Sequence, residues 1–382
     1  MNLSRREFAR AALAGSVFSG FASAEEPGKP AFPGLTVRMH QPRNLEFPVS
    51  ELNGPIIPNE QFFVRSHFAV PTLDVNTWKL KVEGAIDKPL ELSINDLMKL
   101  PQKTMQATIE CAGNGRVHLA PQAPGLQWGQ GAVGNAEWTG VLLRDVLQFA
   151  GLTREEAIQY GIKHIQFEGL DRDVTGTSYG ASIPIEKALA EGGDVLLAFE
   201  MNGQPLSRDH GFPVRVIVPG VVAARHVKWL SKIVPSRAES DSHWQQRDYK
   251  SFSPNVDWDN VDWSSAPAMQ DMPVTSAICE PNADATLTSD SEDVSLKGYA
   301  WSGGGRKIIR VDVSADGGKS WTTADLIPST QSDGRAWAWT HWAASVPLPR
   351  DLLKPGQAIE LVCKATDSAY NSQPDSLSPV WN

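Results

Sequence analysis

The order of apolar and polar residues divides the chain into two halves with different periodicity. Between Phe62 and Val234, short β-rich runs alternate with runs in which apolar positions recur every three to four residues. From Val294 onward the apolar runs are short, follow a two-residue alternation and are separated by turns such as Ser302–Gly305. The first pattern predicts a mixed α and β domain, and the second predicts an immunoglobulin-like β-sandwich.

These patterns place individual elements. In the first half we expect strands at Trp78–Val82, Ala107–Ile109, Lys163–Phe167 and Pro213–Val218, and helices at Ser93–Leu100, Leu142–Ala150 and Pro184–Ala190. In the second half we expect strands at Val294–Trp301, Lys307–Val313, Ala336–Trp342 and Glu360–Ala365. Residues Glu25 to Pro58 are rich in Pro and Asn with little periodicity, which predicts an extended arm on the surface.

The N-terminus resembles an export signal. Ser4-Arg5-Arg6-Glu7-Phe8 precedes a weakly apolar run that ends at Ala22-Ser23-Ala24, an order typical of a twin-arginine signal with its cleavage site. A short amphipathic helix is the alternative. We expect residues 1–24 to be removed and the mature protein to lie in the periplasm. No other stretch reaches the roughly 18 apolar residues of a membrane span, so we expect none.

The charge balance limits the partners. The 382 residues include 35 basic and 44 acidic ones, a net charge of −9, and loss of residues 1–24 would bring it near −11. An acidic chain without a basic stripe argues against nucleic acid and anionic membranes as main partners. Any anionic substrate would have to be attracted by local basic residues.

Three cysteines are too few for a disulfide framework. A bridge between Cys279 and Cys363 and two free thiols both fit the sequence. Cys111 follows a predicted strand and precedes a glycine-rich turn that carries Arg116. An inert buried thiol, a soft metal ligand and a nucleophile all remain open for it. The eight histidines lack metal-ligand spacing, so we do not expect a zinc site.

Two segments bring basic groups together. Phe62–His67 reads as a strand with Arg65 and His67 on one face, which fits either an edge strand or an anion site. Arg208–Lys228 carries six cationic or potentially cationic groups with Asp209 as the acidic neighbour, as a phosphate site requires, although each residue also has a structural alternative. Gly129–Gly134 matches a dinucleotide fingerprint, but the residues after it are poor helix formers, so we expect a loop.

Taken together, these residues resemble sulfite oxidases and bacterial sulfite dehydrogenases, which carry a molybdenum–molybdopterin cofactor. The resemblance runs over almost all of the mature chain. It rests on Phe62–His67, Cys111–Arg116, Gly176–Pro184, Glu200–Leu206, Arg208–Arg215, Arg225–Leu230, Arg247–Lys250 and Lys297–Arg306.

The resemblance implies an α+β architecture: a sulfite-oxidase-type molybdopterin domain over residues 25–267, then an immunoglobulin-like dimerisation domain over 268–382 and hence a homodimer. It implies oxidation of sulfite to sulfate at molybdenum. Because the chain has no haem-binding Cys-x-x-Cys-His, we expect it to bind no haem and to pass electrons to a separate c-type cytochrome, whose basic face would suit an acidic surface.

The resemblance also implies residue roles. Cys111 would be the protein thiolate on molybdenum. Arg65, Arg116 and Tyr249 would surround the substrate oxyanion, with Asp248 beside them. The residues expected to bind the cofactor are Phe63, Val64, Arg65, Ser66, His67, Asp171, His210, Arg215, His226, Val227 and Lys228.

The chain departs from the family pattern at three places. Gly115 stands where an arginine is common, and Pro124 stands where a lysine is usual. Family members usually continue after the equivalent of Trp381-Asn382 with Leu-Arg-Gly, whose arginine binds sulfite, so either the sequence continues or this member lacks that arginine. Four alternatives therefore accompany sulfite oxidation: a partner-dependent sulfane dehydrogenase subunit, a molybdopterin sulfoxide or nitrate reductase, a cysteine hydrolase, and a cofactor-free binding module.

Overall fold

A computed structural model describes residues 34–119, 122–253, 255–288, 291–328, 330–348 and 356–374. The expected signal peptide at 1–24 and the chain end at 380–382 lie outside these ranges. Within them, no helix has the length and apolar character needed to cross a membrane.

Two five-stranded sheets and short helices form the first half. Its elements are β1 (Thr36–Met39), β2 (Asn44–Glu46), β3 (Leu80–Val82), β4 (Leu90–Leu92), α1 (Ile94–Met98), β5 (Gln102–Glu110), β6 (Val133–Leu142), α2 (Leu143–Phe149), α3 (Arg154–Tyr160), β7 (His164–Arg172), β8 (Ser178–Pro184), α4 (Ile185–Ala188), β9 (Leu196–Met201), β10 (Gln204–Pro205), β11 (Arg215–Ile217), β12 (Leu230–Ser236) and α5 (His243–Gln246).

One sheet has the order β10-β9-β6-β5, with β11 also paired to β9, and the other has the order β4-β3-β12-β7-β8. All pairs are antiparallel except β3 with β12. Two of the helices, α1 and α3, begin at side-chain caps. Ser93 and Thr153 form capping boxes at α1 and α3, and Gly161 ends α3 in the left-handed conformation.

The second half is the expected β-sandwich. It comprises β13 (Thr275–Glu280), β14 (Asp293–Trp301), β15 (Ile308–Ser314), β16 (Thr322–Thr323), β17 (Asp325–Leu326), β18 (Thr340–Pro347) and β19 (Val362–Asp367). The sheets β13-β14-β18-β17 and β16-β15-β19 enclose a core that includes Leu296, Val311 and Trp342. Cys279 and Cys363 are free thiols here and form no bridge.

The two halves share one hydrophobic core, to which the second half contributes Tyr299, Trp301 and Trp339. The edge strand β5 is bonded to the second half. Thr108 donates its N–H to the Trp337 carbonyl (2.9 Å), and its hydroxyl accepts the Trp339 N–H (2.8 Å). The strand that leads to Cys111 therefore has the sandwich segment 337–339 as its outer neighbour.

Four sequence expectations need correction. The arm at 25–58 is not only a surface segment, because β1 and β2 form a hairpin and Asn44, Glu46 and Phe47 are buried. Phe62–His67 is not a strand: only Val64 forms a bridge, to Leu45. Residues 336–339 precede β18, where the aromatic residues pack between the halves. The loop expected at Gly129–Gly134 ends at residue 132, because β6 begins at Val133.

Candidate active site

A cleft of about 660 Å³ empty volume, open mouth included, lies in the first half. It gathers residues from seven parts of the chain. Its lining consists of Phe62, Phe63, Arg65, Ser66, His67, Ile109, Cys111, Asp171, Tyr179, Asp209, His210, Arg215, Ala223, Ala224, His226, Lys228, Trp229 and Tyr249. Residues that the sequence placed in separate motifs therefore share one cavity.

Cys111 is held at the end of β5 by a turn of fixed geometry. Its N–H donates to the Ala132 carbonyl, and its carbonyl accepts the Asn114 N–H, both at 2.9 Å. The Asn114 side chain accepts the Ala132 N–H (2.9 Å) and donates to Glu110 (3.0 Å). Cys111 as a whole residue is 6% exposed and lines the cleft, so it can contact a bound group while being largely shielded from bulk solvent.

Arg215 and Lys228 are two neighbouring basic side chains that are buried in the cleft. Burial lowers the pKa of Arg215 to about 9, so it stays charged at neutral pH. Among the described residues, its Nη atoms donate to the carbonyls of His210 (3.1 Å) and His226 (3.4 Å). The guanidinium carbon lies 5.1 Å from the centroid of the Trp138 ring. Burial, followed by the charge of Arg215, lowers the pKa of Lys228 to about 7.

The carboxylates nearby do not cancel these charges. Lys228 Nζ donates to the backbone carbonyl of Asp209 (2.7 Å) and to Ser66 Oγ (3.1 Å), while the Asp209 carboxylate pairs with Arg43 at 2.9 Å. Burial raises the pKa of Asp171 to about 6 against the opposing effect of Lys228. The lining thus carries three basic side chains, Arg65, Arg215 and Lys228, against two carboxylates, one of which pairs with Arg43 outside it. This excess of buried positive charge is costly unless an anionic ligand is bound.

His210 and His226 are neutral scaffolding groups in this geometry. Burial and neighbouring cations lower the pKa of each to about 3. His226 Nδ1 accepts the Val218 N–H (3.4 Å) while Nε2 donates to the Val221 carbonyl (3.2 Å), and His210 Nε2 lies 3.3 Å from the Phe62 carbonyl. Both rings thus fix the backbone around the cations. Gly211, at φ +107°, brings that backbone between Arg215 and Lys228, where a Cβ would lie 3.0–3.1 Å from theirs.

Arg65, His67 and Tyr249 meet at another part of the cleft. The Tyr249 hydroxyl lies 3.1 Å from His67 Nε2, and the His67 ring stacks on Tyr179 with centroids 4.9 Å apart. Burial, then the charges of Arg65 and Lys228, lowers the pKa of His67 well below its usual value. Burial raises the pKa of Tyr249 to about 12. A neutral phenol and a neutral imidazole therefore stand beside the Arg65 guanidinium.

Two predicted site residues lie elsewhere in the structure. Arg116 Nη1 donates to the Leu126 carbonyl at 3.0 Å, and its guanidinium packs on Gly113 and Gly125, so Arg116 is not part of the cleft lining that the described residues form. Asp248 is exposed and pairs with His243 at 3.1 Å. Val64 and Val227 are buried and contribute backbone contacts rather than lining side chains.

The sequence did not single out several residues that the fold brings here. Tyr179 supports His67, and Trp229 lies under Lys228 with the ring centroid 4.3 Å from Nζ. Trp229 has φ +49°, which is unusual for a bulky residue. No local pattern marks either ring as a site residue, because each reaches the cleft only through strand pairing and chain reversal.

These residues fit an anionic molybdenum–pterin group. Arg215 is 6% exposed, and no described residue accepts from its Nε, so the cradle has an unused charged donor where a phosphate would bind. Cys111 supplies a soft thiolate ligand, the type that suits such a metal centre. Arg215, Lys228 and Ser66 would hold the phosphate, and Cys111 would hold the metal.

Comparison with known proteins supports this interpretation. Residues 67–244 match the oxidoreductase molybdopterin-binding domain, and residues 266–382 match the Mo-co oxidoreductase dimerisation domain. The chain is 49% identical over 357 residues to sulfite oxidase of Gallus gallus, covering 92% of this chain and 76% of the relative. It is 50% identical over 357 residues to mitochondrial sulfite oxidase of Homo sapiens, covering 92% of this chain and 63% of the relative.

Among solved structures, the sulfane dehydrogenase SoxCD from Paracoccus pantotrophus matches with a TM-score of 0.74 and 29% identity, over 94% of this chain and 87% of that chain. Fold, cleft and matched domains together define a molybdenum-dependent oxidoreductase of the molybdopterin class. Within that class, the chain belongs to the sulfite oxidase family. The expected two-part fold class is confirmed.

Proposed function

We propose that this protein oxidises sulfite to sulfate at a molybdenum–molybdopterin centre in the cleft. The observation that carries the proposal is the meeting of one buried thiol, Cys111, with buried cations suited to a phosphate and with Arg65 beside Tyr249. The bound cofactor would supply two-electron redox chemistry and oxygen transfer. Identity near 50% to sulfite oxidases supports sulfite as the substrate.

The chain's own residues would bind and orient the substrate. Arg65 carries a permanent positive charge and forked donors that suit an oxyanion. Tyr249, neutral because its pKa is raised to about 12, can donate its hydroxyl proton either to His67 or to a bound oxyanion. Phe63 and Ile109 line the same cleft, and their apolar surface would limit the water around a bound substrate and so strengthen these electrostatic contacts.

The test measures sulfite-dependent reduction of ferricyanide by the purified protein, with molybdenum content determined on the same sample. We expect this turnover to be lost in Cys111→Ser. It should be retained in the control Cys363→Ser, because Cys363 lies on β19 of the sandwich. Absence of molybdenum from correctly matured protein would overturn the proposal.

A second candidate is a partner-dependent sulfane dehydrogenase subunit. It is favoured by the structural likeness to SoxCD and by the position of Arg116, which donates to Leu126 instead of lining the cleft. Full molybdenum occupancy without turnover of free sulfite, together with activity on sulfane sulfur once a cytochrome subunit is added, would select this candidate.

We further propose a periplasmic homodimer that passes electrons to a c-type cytochrome. The match to a dimerisation domain supports the dimer, and the net charge of −9 suits a basic electron acceptor. Replacing Arg5 and Arg6 by lysine should retain the protein in the cytoplasm, as cell fractionation would report. Reduction of a basic cytochrome should slow steeply as ionic strength rises, whereas ferricyanide reduction should not slow in this way.

A further inference from the structure

Strand β2 and the turn before it contact two segments of the cleft wall and the loop that precedes Ala132, whose carbonyl accepts the Cys111 N–H. Arg43 pairs with the Asp209 carboxylate at 2.9 Å. The Glu46 carboxylate accepts the N–H groups of Gly129 (2.9 Å) and Gly131 (3.0 Å), in the loop that precedes Ala132. Between them, Asn44 contacts the segment that carries Arg65.

Asn44 is completely buried, and every donor and acceptor of its carboxamide is used. Oδ1 accepts the Ser66 N–H (3.0 Å) and Arg65 Nη1 (3.2 Å). Nδ2 donates to the carbonyls of Pro42 (2.8 Å) and Ser66 (3.2 Å). Rotation of this side chain would leave several buried polar groups without partners, so its orientation is fixed.

The contacts to Arg65 orient the guanidinium without neutralising it. Besides Asn44 Oδ1, Nη1 donates to the Ser66 carbonyl at 2.6 Å. Both acceptors are uncharged, whereas a carboxylate would hold the guanidinium equally well but cancel much of its charge. A mobile arginine side chain loses considerable rotamer entropy when a ligand immobilises it. Because the protein already holds the Arg65 side chain in place, less entropy is lost when a ligand binds.

We propose that Asn44 is a positioning residue that fixes the Arg65 guanidinium for oxyanion binding. The identification of the oxyanion as sulfite rests on the proposed function, but the positioning itself does not. Asn44 acts through Arg65 and through the Ser66 backbone, and it does not line the cleft.

The first test is a double-mutant cycle on molybdenum-loaded enzyme. Asn44→Ala should raise KM for sulfite about tenfold while changing kcat much less, because it loosens a charged hydrogen-bonding group used in binding. In an Arg65→Ala background the same substitution should change KM less than about twofold. An equal effect in both backgrounds would assign Asn44 a purely structural role and overturn the proposal.

Asn135→Ala is the matched control. Asn135 is also completely buried, and it accepts from Thr108 (3.2 Å) and donates to the Pro55 carbonyl (2.7 Å), away from the cleft. It should lower thermal stability without changing KM. If Asn44→Ala does not fold, Asn44→Ser keeps one acceptor and should give an intermediate KM in the same cycle.

The second test is independent of the substrate. Crystal structures of Asn44→Ala (or Asn44→Ser) and Asn135→Ala should show the Arg65 guanidinium displaced or disordered only in the variant at position 44. An unchanged Arg65 would overturn the proposal even if the enzyme oxidises sulfite. A displaced Arg65 in a protein that does not oxidise sulfite would uphold the positioning role and reject only the proposed function.

Discussion

The hydroxyl of Tyr249 and Nε2 of His67 lie 3.1 Å apart although 182 residues separate them in sequence. Tyr249 has φ +59°, a left-handed conformation that costs a non-glycine residue about 1–3 kcal/mol. Its carbonyl accepts the Met269 N–H at 2.8 Å. The fold therefore holds Tyr249 in an unfavourable backbone conformation in which its hydroxyl lies beside the His67 ring.

Tyr249→Phe should lower kcat/KM for sulfite about 10- to 100-fold, because it removes a donor at the proposed oxyanion position. Steady-state kinetics on samples of equal molybdenum content would measure the loss. Tyr179→Phe is the control, since that hydroxyl donates to the Ala224 carbonyl at 2.8 Å and its ring contact with His67 is retained. Equal losses in the two variants would count against a specific role for the Tyr249 hydroxyl.

Arg215→Gln should reduce cofactor retention, because it removes the buried charge while keeping amide donors. We expect molybdenum and pterin content to fall at least tenfold relative to the native protein, since a charge-assisted contact to phosphate is lost. Metal analysis and pterin fluorescence would quantify both. Arg172→Gln, which alters an exposed arginine on β7, should retain full content; a similar fall there would indicate a general defect in maturation.

Acidification should destabilise the protein through His210 and His226. Their folded pKa values lie near 3, below the unfolded value near 6.5, so the unfolded chain binds more protons between these limits. The contribution of the two histidines to the free energy of unfolding is therefore fully present above about pH 6.5. It decreases toward pH 3 by up to about 1.4 kcal/mol per pH unit for each histidine.

Urea unfolding at a series of pH values would measure this dependence. His226→Asn should lower stability at pH 7, because Val218 and Val221 lose their ring partner, but should make the decline between pH 6.5 and 4 shallower. A variant curve parallel to the native one would show that His226 does not contribute to the acid sensitivity.

Asp194→Asn should weaken the junction between the halves. The buried carboxylate accepts from Arg335 (2.6 Å) and Trp337 Nε1 (2.7 Å) in the second half, and from Lys103 on β5. Because Arg335 and Lys103 are partly exposed, losing the charge-assisted hydrogen bonds should cost about 1.5–3 kcal/mol, so we expect the melting temperature to fall by about 2–6 °C. Calorimetry would measure it, with Asp325→Asn, an exposed position on β17, as the control.

Much of the site is visible in the sequence because its chemistry lies in short contiguous motifs. Cys111 with its glycine-rich turn, and the cationic residues from Arg208 to Lys228, carry their charge and turn signals locally. Asn44 and Glu46, which support the cleft from β2, carry no such local signal. Both are polar residues without apolar periodicity, and their hydrogen-bond partners include groups 21 to 85 residues away in sequence.

The errors have related physical causes. Phe62–His67 alternates like a strand, but its partner β2 is three residues long, so only Val64 pairs. The aromatic run at 336–339 has the composition of a strand, yet its rings fill the junction between the halves. In each case a tertiary contact outweighs the local pattern.

The bond between β5 and residues 337–339 sets an order of events during biosynthesis. Thr108 lies three residues before Cys111, and its backbone and hydroxyl are satisfied by Trp337 and Trp339. The strand that presents the thiol therefore acquires its final edge only after more than two hundred further residues have left the ribosome. We therefore expect that a nascent chain does not yet offer a finished metal pocket and that the metal is loaded into the completed polypeptide.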